Sequence, residues 1–135
     1  MKHDVWRAAL SDQGDIVKWL HFNTNLNFTK HVMDYFMGSG NLKMVKWLTK
    51  NRKEGFSIKG LEIGAMYGNL KTMKWVCKNN PNLDLTSSLM YSIRESCSDE
   101  VVKWLYFNTK FDKDKIDKII NAYHNNWLLD LLKLK

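Results

Sequence analysis

Two groups of lysines stand at identical spacing, Lys43, Lys46 and Lys50, then Lys71, Lys74 and Lys78, each reading i, i+3, i+7. On a helix that spacing makes one stripe, and the chemistry it offers is the attraction of anions. Arg52 and Lys53 follow the first stripe. Between residues 41 and 82 there are nine Lys/Arg against two acids, Glu54 and Glu62, a local balance of +7 that equals the net charge of the whole chain. In the flanking segments the first lysine of the stripe is replaced by an acid, Asp15 before Lys18 and Glu100 before Lys103. Neighbouring helices pack about 8–10 Å apart, comparable to the ~8 Å screening length at physiological salt. The six lysines with Arg52 and Lys53 therefore predict one continuous basic patch. Such a patch either keeps an apolar-rich chain in solution or docks an acidic protein surface, a nucleic acid or an anionic membrane. Nucleic acid fits less well, because single-strand binders interleave aromatics with their basic residues and the tryptophans here are expected to flank the core.

Other reactive side chains form no constellation. His3, His21, His31 and His124 fall at unrelated positions without metal-ligand spacing. Cys77 and Cys97 are neither a metal pair nor a disulfide framework. They read as inert thiols, although Lys74 and Lys78 beside Cys77 leave room for mild reactivity. Gly38-Ser39-Gly40 lacks the rest of a phosphate-binding loop. The carboxylate pairs Asp99-Glu100 and Asp112-Asp114 sit where helix N-termini favour them without acid–base work. The expectation is a non-catalytic chain with no metal and no cofactor.

The elements that carry the lysines are set by repetition. Asp15–Leu20, Lys43–Leu48, Lys71–Val76 and Glu100–Leu105 each contain a Lys-Trp pair, and Trp19, Trp47, Trp75 and Trp104 are separated by 28, 28 and 29 residues. A degenerate fifth copy closes the chain at Leu128–Leu132. Within a copy, Met44, Val45 and Leu48 make one helical face with Lys46 opposite and Trp47 at its edge. This outer helix follows a turn such as Gly40-Asn41 or Gly68-Asn69. An inner helix precedes the turn, over roughly 4–12, 29–38, 57–67, 86–96 and 113–123, with Thr29, Ser57, Thr86 and Asp112 as N-caps. Neither helix is long enough to persist alone, so neighbouring pairs must stack. The predicted fold is all-α, a helical-repeat solenoid of about five stacked helix–turn–helix units spanning about 1–26, 27–54, 55–83, 84–111 and 112–135. The four aligned tryptophans are expected to form a packing ladder between units.

Gly-Asn-Leu-Lys-x-Val/Met-Lys-Trp-Leu/Val, preceded by a short helix such as Gly60–Tyr67, resembles the ankyrin repeat, in particular the divergent ankyrin repeats of giant DNA viruses and some protists. The usual Thr-Pro-Leu-His opening is missing, and the copies are shorter than the usual repeat of about 33 residues. The resemblance therefore implies short loops in place of projecting β-hairpins. It also implies a protein–protein interaction scaffold that engages its partner on the concave side, at the ends of the inner helices. On this chain that side would carry Tyr35, Ser39, Met66, Tyr67, Tyr91 and Arg94, since Tyr and Arg are favoured at interfaces. Leu10, Ser11, Gly38, Glu95 and Ser96 flank the same turns. The alternative is a nucleic-acid-binding protein that uses the central lysines.

No segment approaches the roughly 18 apolar residues of a membrane span, and the start of the chain does not read as a signal peptide. An intracellular, cytoplasmic setting is expected, the host cytoplasm if the chain is viral. The sequon Asn27-Phe28-Thr29 reads as unused. A monomer is expected, with Trp6, Trp127 and the Leu128–Leu134 tail packing as caps or leaving an apolar edge through which two copies could pair.

Overall fold

Every Lys-Trp segment becomes a helix because its apolar residues recur on one face. The structure, a computed structural model, describes residues 14–95, 97–123 and 130. The outer helices are α1 (Gly14–Asn23), α3 (Leu42–Asn51), α5 (Leu70–Asn79) and α7 (Asp99–Asn108). Between them come the inner helices α2 (Lys30–Ser39), α4 (Ile58–Met66), α6 (Thr86–Arg94) and α8 (Lys113–Tyr123). The first inner helix expected over 4–12, the fifth outer copy, Trp6, Trp127 and the leucines of the tail lie outside the described residues. Among the described residues there is no strand, only a single bridge between Asp84 and Lys110, and the loops 24–29, 52–57, 80–85 and 109–112 are short.

The ends of the outer helices follow from local chemistry. Gly40 and Gly68 take left-handed φ values of 76° and 70°, which reverse the chain between inner and outer helix without a Cβ penalty. The Asn41 and Ser98 side chains then accept from Met44 N at 3.1 Å and Val101 N at 3.3 Å, capping α3 and α7. At the other end, Asn23, Asn51, Asn79 and Asn108 each donate a side-chain N–H to the carbonyl of the tryptophan four residues earlier, at 2.8–3.0 Å. This satisfies a last-turn carbonyl that the helix itself leaves open.

The inner caps differ in part from expectation. Ser57 and Asp112 accept from Lys59 N and Lys115 N, both at 3.3 Å, as N-caps do. Thr29 holds the cap position of α2 but makes no side-chain cap bond. Thr86 is not a cap; it is the first residue of α6, and Asp84 accepts its N–H at 2.9 Å instead. A carboxylate two residues earlier can accept both the Thr86 N–H and its hydroxyl, which spacing from the apolar face alone does not reveal.

The inner helices pack in a row, α2 on α4, α4 on α6 and α6 on α8, and α2, α4 and α6 each pack on the outer helix that follows. Phe36, Leu61, Leu89, Ile93 and Ile116 are fully buried along this row, continuous with Met44, Val45, Leu48, Met73, Val76, Val101, Val102 and Leu105 beneath it. Each such side chain contributes roughly 1.5–3 kcal/mol by leaving water. Small residues let the row close up: a Cβ on Gly60 would stand 3.0 Å from Asp34 Cα. Polar joints differ from one inner pair to the next. The buried Asp34 carboxylate accepts from Ser57 N at 2.7 Å and from the Ser57 hydroxyl. Ser87 donates to Glu62 at 2.7 Å, and Asp112 N donates to the Thr86 hydroxyl at 2.7 Å.

Candidate functional site

Two surfaces carry the residues singled out from the sequence, one on each helix layer. On the inner layer, Tyr35, Ser39 and Tyr67 come together with His31, Lys59 and Ile63 around a groove of about 640 Å³ between α2 and α4. Tyr35 is half-buried and packs against the core, with its ring edge-on to Phe36 at 5.7 Å. Tyr67 is 68% exposed and Met66 44%. A second hollow of about 430 Å³ between α4 and α6 takes in Tyr91, Arg94 and Glu62. Met66 joins it through the Tyr91 hydroxyl, which donates to the Met66 sulfur at 3.1 Å. Five of the six residues expected on the concave side therefore line two depressions, Tyr35, Ser39 and Tyr67 the first and Tyr91 and Arg94 the second, with Met66 bonded to Tyr91. Leu10, Ser11 and Ser96 lie outside the described residues.

Asp34 sits at the base of the first groove. Burial pushes its carboxyl above the ordinary value, against the opposing pull of the Ser57 hydrogen bonds and of His31 and Lys30. Its oxygens are already engaged by Ser57, so it braces the groove wall. Gly38 closes the floor, since a Cβ there would meet Ile63 Cγ2 at 2.5 Å.

On the outer layer Lys43, Lys46, Lys50, Lys71, Lys74 and Lys78 are all exposed, and among the described residues none of them pairs with a carboxylate. Lys53 is exposed beside them. Arg52, expected in the same patch, does not belong to it. Its guanidinium donates to Glu54 at 3.0 Å and to the Leu26 carbonyl at 3.2 Å, and lies 3.9 Å over the Phe28 ring. Burial alone would raise the Glu54 carboxyl, but the Arg52 hydrogen bond and charge, together with hydrogen bonds from the Glu54 and Phe28 backbone, jointly outweigh it and hold the group below its ordinary range. Only 18% of the Arg52 side chain is exposed, so its charge is spent on tying the loop between α3 and α4 to the loop between α1 and α2.

The tryptophans stand among the lysines, contrary to expectation. Lys18 Nζ lies 5.9 Å from the Trp47 ring centroid and Lys46 Nζ 6.0 Å from that of Trp75, each lysine reaching the ring of the next copy. Trp47, Trp75 and Trp104 are half-buried against the core, as a packing ladder requires. Trp19 is 59% exposed and does not serve as a rung. Trp104 opens into a groove of about 320 Å³ with Lys74, Lys78 and Lys110 on its rim and Cys77 among its lining.

Burial pushes the Cys77 thiol up to about 11, so Lys74 and Lys78 do not make it a thiolate at neutral pH. Cys97 is buried and shifted the same way, by burial and then Glu95. His21 packs edge-on to Trp47 at 5.1 Å, while His31 lines the inner groove. His3 and His124 lie outside the described residues. Among the described residues no three His, Cys, Asp or Glu side chains gather as a metal site would require. None of the described helices is long and apolar enough to cross a membrane.

The repeated Asn23, Asn51, Asn79 and Asn108 contacts were legible as a Trp-x-x-x-Asn spacing in four copies. The lysine-over-tryptophan contacts had no such signal, because they join residues a full copy apart. In comparisons with protein-family models, curated proteins and solved structures, nothing matches this chain.

Proposed function

We propose that the chain is a non-catalytic scaffold that binds another protein through its inner-helix face, in an ankyrin-type solenoid whose concave side that face would be. One observation carries the reading. Among the described residues the exposed large apolar side chains fall in two places only, Ile16, Trp19 and Phe22 on α1, and Ile58, Met66 and Tyr67 at the two ends of α4. The α4 set borders both inner depressions, at the middle of the inner row. Clustered exposed apolar and aromatic residues beside polar ones mark protein-binding surfaces. Tyr67 and Tyr35 would anchor an apolar side chain of the partner, with Lys59 and Arg94 available to carboxylates at the rim. A partner met in the cytoplasm suits the two unpaired thiols.

Selection of a displayed random-peptide library on the immobilised chain tests this, with the Tyr35→Ala/Tyr67→Ala variant as counter-target. Peptides that bind the unmodified chain and lose about thirtyfold or more on the variant support the inner face, as loss of a central anchor does. Recovery of the same peptides with equal affinity on both proteins would overturn it.

A further inference from the structure

We infer that the outer face is a second, independent binding surface, and that its ligand is single-stranded nucleic acid, with Trp104 as a stacking platform for a base and the lysines of α3 and α5 holding phosphates. The sequence alone argued against this because aromatics and lysines looked segregated. The structure interleaves them. Lys18 is followed by Trp47, and Lys46 by Trp75, across the joints between outer helices. The third joint differs. Among the described residues no cation lies over Trp104, and Lys74, Lys78 and Lys110 rim its groove instead. An aromatic ring opening into a groove with three lysines at the rim combines the two elements that sequence-tolerant single-strand binding uses.

The charge pattern gives the tract its limits. At the head of each outer helix stand Asp15, Lys43, Lys71 and Glu100 in turn, so the cationic run begins at α3, crosses α5 and reaches the α7 groove at Lys110. Competing occupants fit less. An anionic membrane surface would call for large apolar side chains projecting among the lysines, and the exposed ones lie on α1 and at the ends of α4, not on α3 or α5. An acidic protein would engage the lysines and leave the Trp104 groove without a role. A duplex keeps its bases stacked on each other and offers none to a side-chain ring.

The test is fluorescence anisotropy of a labelled oligothymidylate with the purified chain over a salt series, with polyglutamate and phosphatidylserine vesicles as competitors. Six phosphates neutralised would give a slope of log affinity on log salt of about −4. Lys71→Glu/Lys74→Glu/Lys78→Glu should weaken binding at least tenfold and flatten the slope. Trp104→Leu should weaken it about tenfold with the slope unchanged, and Trp104→Phe should restore much of it. Should Trp104→Leu fail to fold, the part of the oligonucleotide-induced quenching of tryptophan emission that is lost in Trp104→Phe reads the stacking on Trp104 among the six tryptophans. Tyr67→Ala should leave all of this unchanged, so failure of this surface and failure of the inner one are separately visible. Absence of binding at low salt, displacement by polyglutamate or vesicles at equal charge, or indifference to the lysine changes would overturn the assignment.

Discussion

The two helix layers solve the stacking problem differently. Along the inner row, helices come close because small residues face backbone: Gly60 lies against Asp34, and Gly64 near the Met37 carbonyl. Along the outer row two joints are made by long side chains reaching sideways, lysine to tryptophan, a copy apart. Close approach fixes residue size at the contact and leaves exposed helix ends free to vary. Contact through long side chains instead repeats the same residues in every copy and keeps the exposed tips charged. The outer layer therefore keeps its joint residues alike from copy to copy, and the inner layer is the more variable of the two.

The sharpest way to break this contrast is to add volume on each layer. Gly60→Val would force β-branched bulk onto the Asp34 backbone and should cost about 3 kcal/mol in urea unfolding. Gly14→Ala on the outer layer would meet Met44 Sδ at 2.6 Å and Cγ at 2.8 Å; the whole methionine side chain must shift, but it is flexible where backbone is not, so the cost should be about 1–2 kcal/mol and below that of Gly60→Val. Equal costs would show that both layers are equally rigid.

Acidity separates two carboxylates, one within the inner row and one outside it. Asp34 has a folded value raised from 3.8, so its contribution to stability is complete below pH 3.8 and is lost as pH rises through the folded value. Glu54 has a folded value lowered from 4.5, so its contribution is complete above pH 4.5 and is lost as pH falls through the folded value. Measured by urea unfolding across this range, the stability of the native chain relative to Asp34→Asn should fall as pH rises. Relative to Glu54→Gln it should fall as pH drops. Parallel profiles would contradict both assignments.

The smallest effect belongs to the outer joint. Lys46→Ala removes the cation over Trp75 and should cost about 0.5–1 kcal/mol. A double-mutant cycle with Trp75→Leu should show coupling of the same size. No coupling would make the lysine a solubilising residue alone.

Much of the helix layout could be read from the chain, because the Lys-Trp spacing and the apolar stripe of Met44, Val45 and Leu48 are local in sequence and periodic. The inner-face residues could be named as well, since they lie next to the same turns. What escaped was set by contacts between copies. Arg52 looked like a member of the basic patch, yet its partners are the Leu26 carbonyl and Phe28 in the preceding loop together with Glu54. Thr86 looked like a cap, yet its hydroxyl serves Asp112 N on the following copy. The tryptophans looked separate from the lysines because helical spacing describes one helix and not the reach of a side chain to the next.

The two lysine-over-tryptophan joints of the outer row are alike, and that creates a problem of order. Nothing in a lysine laid over a tryptophan distinguishes the second copy from the third, and a collapsing chain could mate α2 with α6 and skip α4, the kind of mis-stacking to which repeated units are prone. The inner row removes that freedom. Counting back from Trp104 and Trp75, Leu89 holds the place that Gly60 holds one copy earlier. A skipped copy would press the Asp34 carboxylate onto a leucine, where it now meets a residue without a side chain and two donors from Ser57. One buried aspartate opposite one glycine thus joins the other unlike inner joints in marking which neighbour belongs to which unit.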